Sequence, residues 1–399
     1  MSKNWEGNKE IQIFREYLRI PSVHPNPNYE PCVEFLKRQA QDLELEVKVY
    51  HPVNDKNPIV VLSLIGKDPS LPTILLNSHM DVVPVVPDQW TYPAFDAHMD
   101  DQGRIFARGS QDMKSVGTQY LGALRALKKS GTSFKRTIHV VFVPDEELGS
   151  YYGMRKFVHT EDFKRLNVGF ALDEGMSGIS DTFKLFYAEK SAWQIEFKCS
   201  GPPGHGSALL ENTAGEKVSF ILSKMMDLRR KEIAKIDETK KYEGMGTSIN
   251  VTKLSGGLQN NVIPSLLSVT FDLRLDINED HEALLKQFQD WCEEAGGSIE
   301  MVFERKDKKT PATKLDNSNI FWVAFEKATE ELGIKVQPIV CPAATDSSFM
   351  RDVGVPSIGF SPINNTPILI HGHNEFIYAE NYLKGIEIYQ KIITNVANC

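Results

Sequence analysis

The amino-acid sequence predicts an α/β protein whose larger domain is interrupted by a smaller α+β domain, and three observations support this fold class. Continuous apolar segments alternate with amphipathic helical segments in the first part of the chain and again near its end. This alternation is typical of a mainly parallel sheet covered by helices on both faces. The middle of the chain instead follows the order β-α-β-β-α-β of the ferredoxin-like split unit. A chain of 399 residues is long enough for both domains.

The elements of the larger domain follow from local patterns. Helical periodicity runs through IQIFREYLRI and VEFLKRQAQDL, and apolar runs typical of buried strands are IVVLSLIG and TILLNSH. An amphipathic helix in MKSVGTQYLGALRALKKSG ends at Gly131. The strands TIHVVFVP and VGFALDEG follow, and FWVAFEKATEELG, VPSIGF and NYLKGIEIYQKIITNV return to the same style after the insertion. We therefore assign residues 1–187 and 309–399 to this domain.

The inserted domain is predicted for residues 188–308. Its elements, in order, are the strand AWQIEFKC, a helix around residues 213–236, the strands TSINVTKL and LLSVTFDLRL, the helix HEALLKQFQDWCEEAG and the strand SIEMVFE. Its size is that of an ordinary domain.

Composition excludes several classes of function. The formal charge of −8, from 45 basic and 53 acidic residues, argues against nucleic acid or an anionic membrane as the main partner. No apolar run approaches the roughly 18 residues that a membrane span needs, and MSKNWEGNKE lacks the apolar segment of a signal peptide. The five cysteines are scattered without a C-x-x-C pair. We therefore expect a reduced, cytoplasmic protein.

Histidines and carboxylates stand where the predicted strands and loops end. Ligands of open α/β sheets bind beyond the carboxyl ends of the strands, and nitrogen and oxygen donors of this kind suit zinc. The spacing alone does not choose between Asp173 and Glu174, or between His371 and His373. Six other histidines have no carboxylate context and are interpreted as structural: His24, His51, His98, His139, His159 and His281. The residues at these ends are His79, Asp81, Asp112, Glu146, Glu147, Asp173 or Glu174, and His371 or His373.

The acidic run in VVFVPDEELGS is explained by such a site. Consecutive carboxylates after a buried strand repel one another unless a cation meets them. Because successive residues point in different directions, Glu147 could bind a metal while Glu146 acts as a general base. Asp81 lies two residues after His79, so it could orient the imidazole. The alternatives are that the acidic run is a solvated loop and that Asp112 is a helix N-cap.

The order of the motifs resembles the dinuclear-zinc metallohydrolase family of aminoacylases, ArgE-type deacetylases and carboxypeptidase G. The resemblance covers residues 10–395. It rests on NSHMDVVPV, ARGSQDMK, FVPDEELGS, FALDEG, SGPPGHGS, NNVIP, PAATDSSFMR and IHGHNE.

The resemblance implies two zinc ions per subunit. Asp112 would bridge the two ions, with His79 and Glu174 completing one site. The other site would be completed by Glu147 and His371. In the same resemblance Asp81 would orient His79, Glu146 would be the base, and the peptide bond after Asp112 would be cis.

The resemblance also implies a homodimer. The inserted domain would be a lid and dimerisation domain, and His205 would reach the partner subunit's active site. Asn261, Thr345 and Arg351 would bind substrate, with Arg351 suited to a carboxylate. The implied reaction is hydrolysis of N-acyl-L-amino acids. The alternatives are a dipeptidase or carboxypeptidase that uses the same metal site, and a catalytically inactive metal-binding scaffold.

Overall fold

A computed structural model describes residues 5–236 and 246–399 of the chain. The chain forms two compact units. The first comprises Met1–Tyr187, Pro311–Pro338 and Thr345–Cys399, and the second comprises Ala188–Thr310 and Ile339–Ala344. The assignment of a zinc-binding catalytic domain and a lid domain to residues 1–187 with 309–399 and to residues 188–308 stays a prediction.

The helices and strands are numbered in chain order. The helices are α1 (Lys9–Leu18), α2 (Glu30–Asp42), α3 (Lys114–Lys129), α4 (Met154–Phe157), α5 (Glu161–Arg165), α6 (Ala214–Lys235), α7 (His281–Glu294), α8 (Ile320–Glu331), α9 (Ser347–Asp352) and α10 (Ala379–Asn398). The strands are β1 (Glu46–Tyr50), β2 (Ile59–Leu64), β3 (Thr73–His79), β4 (His98–Met99), β5 (Arg104–Phe106), β6 (Ile138–Val143), β7 (Val168–Asp173), β8 (Thr182–Glu189), β9 (Ser191–Ser200), β10 (Gly204–His205), β11 (Ser248–Gly256), β12 (Val262–Ile263), β13 (Leu266–Leu275), β14 (Ile299–Lys306), β15 (Lys335–Cys341), β16 (Ser357–Phe360) and β17 (Phe376–Tyr378).

The predicted α/β class is confirmed by an eight-stranded sheet of order β1-β2-β6-β3-β7-β16-β8-β15. Its four central strands, β6, β3, β7 and β16, run parallel. Every residue of β3 and of β6 is buried, which explains why both read as continuous apolar runs. Because the central strands are parallel, their carboxyl ends lie along one edge of the sheet.

Helix α3 begins two residues after Asp112 and is buried along its first half. The helix ends where predicted, since Gly131 adopts a φ of +73° just after it. Glycine accepts this left-handed conformation without a steric penalty. The short strand β5 pairs with β17 in a separate three-stranded sheet, which brings the segment before α3 next to the segment before α10.

The second unit has the predicted β-α-β-β-α-β order, formed by β9, α6, β11, β13, α7 and β14. These four strands form an antiparallel sheet of order β11-β13-β9-β14, and β10 pairs with β12 in a separate two-stranded sheet. Helix α6 begins with a reciprocal capping box between Thr213 and Glu216. The core of the second unit is rich in aromatic side chains, among them Trp193, Phe197 and Phe288.

Within residues 5–236 and 246–399, no helix combines the length and the apolarity needed to cross a bilayer.

Candidate metal centre

The first cluster of potential metal ligands lies at the carboxyl ends of β3 and β7. It comprises His79, Asp112 and Glu174, all buried, with one donor atom of each within 4.8 Å of the others. His79 Nε2 lies 2.9 Å from Asp112 Oδ1 and 3.8 Å from Glu174 Oε2. His79 Nδ1 lies 2.8 Å from the carbonyl oxygen of Asp81, so it must be the donor there. This hydrogen bond fixes the ring so that Nε2 points at the cluster.

The second cluster shares Asp112 with the first. It adds Glu147 and His371, again with donor atoms within 4.8 Å of one another. His371 Nε2 lies 2.9 Å from Glu147 Oε2 and 3.3 Å from Asp112 Oδ2. Asp112 therefore offers one carboxylate oxygen to each cluster. The peptide bond between Asp112 and Met113 is cis, which confirms that prediction.

The buried carboxylates of the two clusters favour positive charge close to them. Burial opposes the charged imidazole, yet the hydrogen bond to Asp112 raises the pKa of His79 well above its usual value. Asp112 and Glu147 together raise the pKa of His371 to about 10. Burial raises the pKa of Glu174 and Glu147, and the charge of Asp112 raises both further. Burial also opposes ionisation of Asp112, but hydrogen bonds from His371 and His79 hold its pKa below its usual range. Bound metal cations would satisfy the same carboxylates without these protons.

The donor set fits zinc. Two imidazole nitrogens and three carboxylates converge, and zinc accepts both kinds of donor. Among the described residues, the buried Glu147 Oε1 has no hydrogen-bond partner, as expected of an atom that would bind a cation. Among the described residues, no thiol belongs to either cluster.

The three carboxylates that follow β6 have different surroundings because the backbone turns sharply at Asp145. Asp145 adopts a left-handed φ of 68°, a conformation that aspartate tolerates better than most residues. Its side chain accepts a hydrogen bond from the amide of Tyr152, 3.0 Å away. The turn places Glu146 and Glu147 on a short helical segment beyond the strand. Burial raises the pKa of Glu146 well above its usual range, and Glu174 adds to this shift.

Asp81 holds this acidic segment rather than contacting His79 closely. Its carboxylate accepts from the backbone amides of Glu146 and Glu147 at 3.2 and 3.1 Å. Asp81 Oδ1 lies 3.6 Å from His79 Nδ1, farther than the backbone carbonyl oxygen of Asp81. The closer contact that orients His79 is therefore made by the main chain of Asp81.

His24 contacts the same carboxylate, a role that the sequence did not suggest. Its Nε2 donates to Asp81 Oδ2 at 2.9 Å, and both side chains are buried. This hydrogen bond raises the pKa of His24. No sequence signal marks the pairing, because the two residues are 57 positions apart and their segments meet only in the folded protein, for example through the parallel bridge Val23–Val82.

The choices that spacing left open have a structural basis. Glu174 joins the first cluster, whereas the carboxylate of Asp173 accepts from the amide and the hydroxyl of Ser347 at 2.7 and 2.9 Å. Neighbouring residues at a strand end face opposite sides, so only one can reach the cluster. His371 is the member of the second cluster, and His373 is exposed outside it.

His205 and Asn261, the two residues of the second unit to which the resemblance gives roles in the active site, lie side by side. His205 on β10 pairs with Val262 on β12, next to Asn261. The carbonyl oxygen of Asn261 accepts from the amide of Gly206 at 2.7 Å. The amide of Ser207 donates to His205 Nδ1 at 3.3 Å. Nδ1 is then an acceptor, so the neutral ring carries its proton on Nε2.

Thr345 and Arg351 lie in the first unit, at the start and near the end of the α9 segment. Both are buried. Thr345 Oγ1 accepts from the amide of Ser347 at 3.3 Å. Arg351 Nη1 donates to the carbonyl oxygen of Ser357 at 3.1 Å. Arg351 also lines a cavity of about 520 Å³ formed by residues between 311 and 321 and between 351 and 356. Substrate binding by these residues stays a prediction.

Comparison with known proteins places this geometry in a family. Residues 75–395 match Peptidase family M20/M25/M40. Aminoacylase-1 of Mus musculus is 44% identical over 97% of this chain and 95% of its own length. Aminoacylase-1 of Dictyostelium discoideum is 41% identical, and the alignment covers 98% of each chain. A dinuclear metal-binding peptidase of the M20 family from Bacillus subtilis has the same fold, with a TM-score of 0.71 at 16% identity over 98% of both chains. The chain therefore belongs to peptidase family M20/M25/M40.

Proposed function

We propose that this protein is a zinc-dependent aminoacylase that hydrolyses N-acyl-L-amino acids to a carboxylate and a free L-amino acid. The observation that carries the chemistry is that Asp112 offers one carboxylate oxygen to each of two ligand clusters. Two-metal hydrolases use this kind of shared ligand. The substrate class is supported by the relatives named aminoacylase-1, which are at least 40% identical over nearly the full chain.

Two zinc ions per subunit would be held by His79, Glu174, Glu147 and His371, with Asp112 between them. When bound, they acidify a water molecule and polarise the scissile carbonyl. The protein supplies the geometry, because the ligands stand at strand ends, on the short helical segment after β6, and on loops braced by hydrogen bonds.

Glu146 is the general base of this proposal. It precedes the ligand Glu147 on a segment that Asp81 fixes through two backbone amides. A carboxylate whose pKa is raised by burial accepts a proton more readily. Glu146 would take the proton of the attacking water and then pass it to the leaving amine.

His205 would stabilise the oxyanion of the partner subunit's substrate. Its ring is exposed, and the neutral ring carries its proton on Nε2 because Nδ1 accepts from the amide of Ser207. A donor of this kind fits an oxygen that gains negative charge. Asn261 lies beside it and would contact the substrate. In the first unit, Thr345 and Arg351 would complete the recognition.

A homodimer is supported by an exposed sheet edge. Strand β11 is the outer strand of its sheet, and it is exposed from Asn250 to Gly256. Leu254 and Leu258 are exposed along this edge and the loop after it. Exposed apolar edges are templates for pairing with another chain. We also propose a cytoplasmic location, which is supported by five free cysteines, four of them buried.

The first experiment measures amine release from N-acetyl-L-methionine and from the dipeptide Ala-Met with zinc-loaded protein. We expect fast cleavage of the acetylated compound alone. Cleavage of the dipeptide alone would instead support the dipeptidase alternative. Bound zinc without cleavage of either compound would support the inactive scaffold.

Three variants test the assigned roles. Glu146→Gln should keep its zinc and lose roughly 10²- to 10⁴-fold in kcat, so near-normal turnover would refute the assignment of the base. His79→Ala should lose both zinc and activity. Mixing inactive His205→Ala and Glu146→Gln subunits should restore one functional site per heterodimer. No recovery in verified heterodimers would count against action across the interface.

A further inference from the structure

Arg108 and Glu375 form a buried ion pair beside the second ligand cluster. Arg108 Nη1 donates to Glu375 Oε2 at 2.8 Å, and the side chains are 2% and 0% exposed. Arg108 belongs to the motif ARGSQDMK, and Glu375 belongs to the motif IHGHNE. Removing one partner of a fully buried pair leaves an uncompensated charge.

The Glu375 carboxylate organises the segment that leads to Asp112. Its Oε1 accepts from the backbone amide of Gln111 at 2.6 Å and from the amide of Asp112 at 3.4 Å. Its Oε2 accepts from the amide of Gly109 at 3.4 Å. One carboxylate therefore gathers three backbone amides of the turn that carries the shared ligand.

The Arg108 guanidinium organises the other segment. Its Nη1 also donates to the carbonyl oxygen of Gly372 at 3.0 Å, and its Nη2 donates to the carbonyl oxygen of His371 at 3.3 Å. The backbone of His371 has a φ of +61°, an unusual value for a non-glycine residue. The segment around His371 contains no helix or strand, so external contacts must hold the ligand in this conformation.

We propose that Arg108 and Glu375 are positioning residues that lock Asp112 and His371 together and so preform the second zinc site. Each residue of the pair holds the segment to which the other belongs. Arg108 lies in the segment of Asp112 and binds the backbone of the His371 segment, whereas Glu375 lies in the segment of His371 and binds the backbone of the Asp112 segment. The pairing of β5 with β17 places these segments side by side. The first site depends less on the pair, because its other two ligands stand at the ends of strands β3 and β7 of the large sheet: His79 is the last residue of β3, and Glu174 directly follows β7. This inference rests on the proposed dizinc function.

The test is a calorimetric zinc titration of the metal-free protein, together with the absorption spectrum of the cobalt-substituted protein. In Glu375→Gln we expect one of the two binding events to weaken about 10- to 100-fold, with an altered cobalt spectrum. The other event should change less. If the folded variant binds zinc in both events with the affinities of the wild-type protein, and its cobalt spectrum is unchanged, the proposal is overturned.

The matched control is the ion pair between Arg125 and Glu10, which links α3 to α1. Arg125 Nη1 donates to Glu10 Oε2 at 2.8 Å, and these side chains are 15% and 20% exposed. Glu10→Gln should lower the thermal midpoint and leave both zinc affinities unchanged. Zinc affinities that fall equally in Glu10→Gln and Glu375→Gln would show a general stability effect and overturn the positioning role.

A second variant protects the test against misfolding. Arg108→Lys keeps the charge but cannot span Glu375 and two carbonyl oxygens at once. We expect it to fold and to weaken the same binding event, whereas wild-type affinity would overturn the proposal. Failure of the dizinc function has a separate signature, because the wild-type protein would then show fewer than two zinc-binding events.

Discussion

We predict that His139 makes the stability of the protein sensitive to mild acid. It lies on β6 and is 7% exposed, and its Nδ1 lies 2.9 Å from Ser63 Oγ on β2. Burial lowers the pKa of His139 from 6.5 to about 4. The unfolded chain therefore binds a proton between these values that the folded protein does not bind. The resulting stabilisation is fully present above pH 6.5 and is lost as the pH falls toward 4.

The magnitude follows from the two pKa values. With a pKa of 6.5 in the unfolded chain and about 4 in the folded protein, linkage predicts a loss of about 2 kcal/mol between pH 7 and pH 5 from this residue alone. The perturbation is His139→Gln, which keeps a polar side chain but does not titrate. It lowers stability at pH 7 through lost contacts, so the informative quantity is the slope with pH.

The assay is urea unfolding of the chelator-treated protein, followed by tryptophan fluorescence from pH 5 to pH 8. Chelation removes the contribution of bound metal, and subtracting the variant from the wild type cancels the other titrating groups. We expect the free energy of unfolding to fall less steeply with acid in the variant, by about 2 kcal/mol over two pH units. Parallel curves for the two proteins would refute the reasoning.

Three further predictions concern packing, capping and metal. A Cβ on Gly359 would overlap the carbonyl oxygen of Glu174, whereas the nearest atom to a Cβ on Gly178 is 3.5 Å away. Gly359→Ala should therefore cost about 1–3 kcal/mol and weaken zinc binding in a titration, and Gly178→Ala should do neither; equal behaviour would contradict this. Thr213→Ala removes the capping box with Glu216 and should lower the free energy of unfolding by about 1 kcal/mol, so an unchanged value would exclude a capping contribution. Chelation should abolish activity and lower the thermal midpoint, and added zinc should restore both; full activity in metal-free protein would rule out the proposed mechanism.

The fold class and the element order were determined by local sequence patterns. Continuous apolar runs predicted buried strands, and β3 and β6 are buried at every residue. The helix predicted around residues 213–236 is α6. These predictions succeed because the period of apolar residues reports how each element is buried. Sheet order is a different matter, since β16 lies between β7 and β8 although it is more than 160 residues later in the sequence.

The site was only partly determined by the sequence. Residue type and position at strand ends indicated a metal site, but spacing left Asp173 and Glu174 equivalent. Only the tertiary structure directs Asp173 to Ser347 and Glu174 to the cluster. A one-residue change reverses the direction of a side chain at a strand end, and the position of the neighbouring elements decides which direction faces the ligands.

The contacts that brace the ligands were decided by tertiary structure alone. Arg108 and Glu375 are 267 positions apart, and His24 contacts Asp81 across 57 positions. No local periodicity encodes such pairs, because they form only when the strands and loops between them have packed. The sequence determined which residues could bind a cation, and packing decided which of them are held in place to do so.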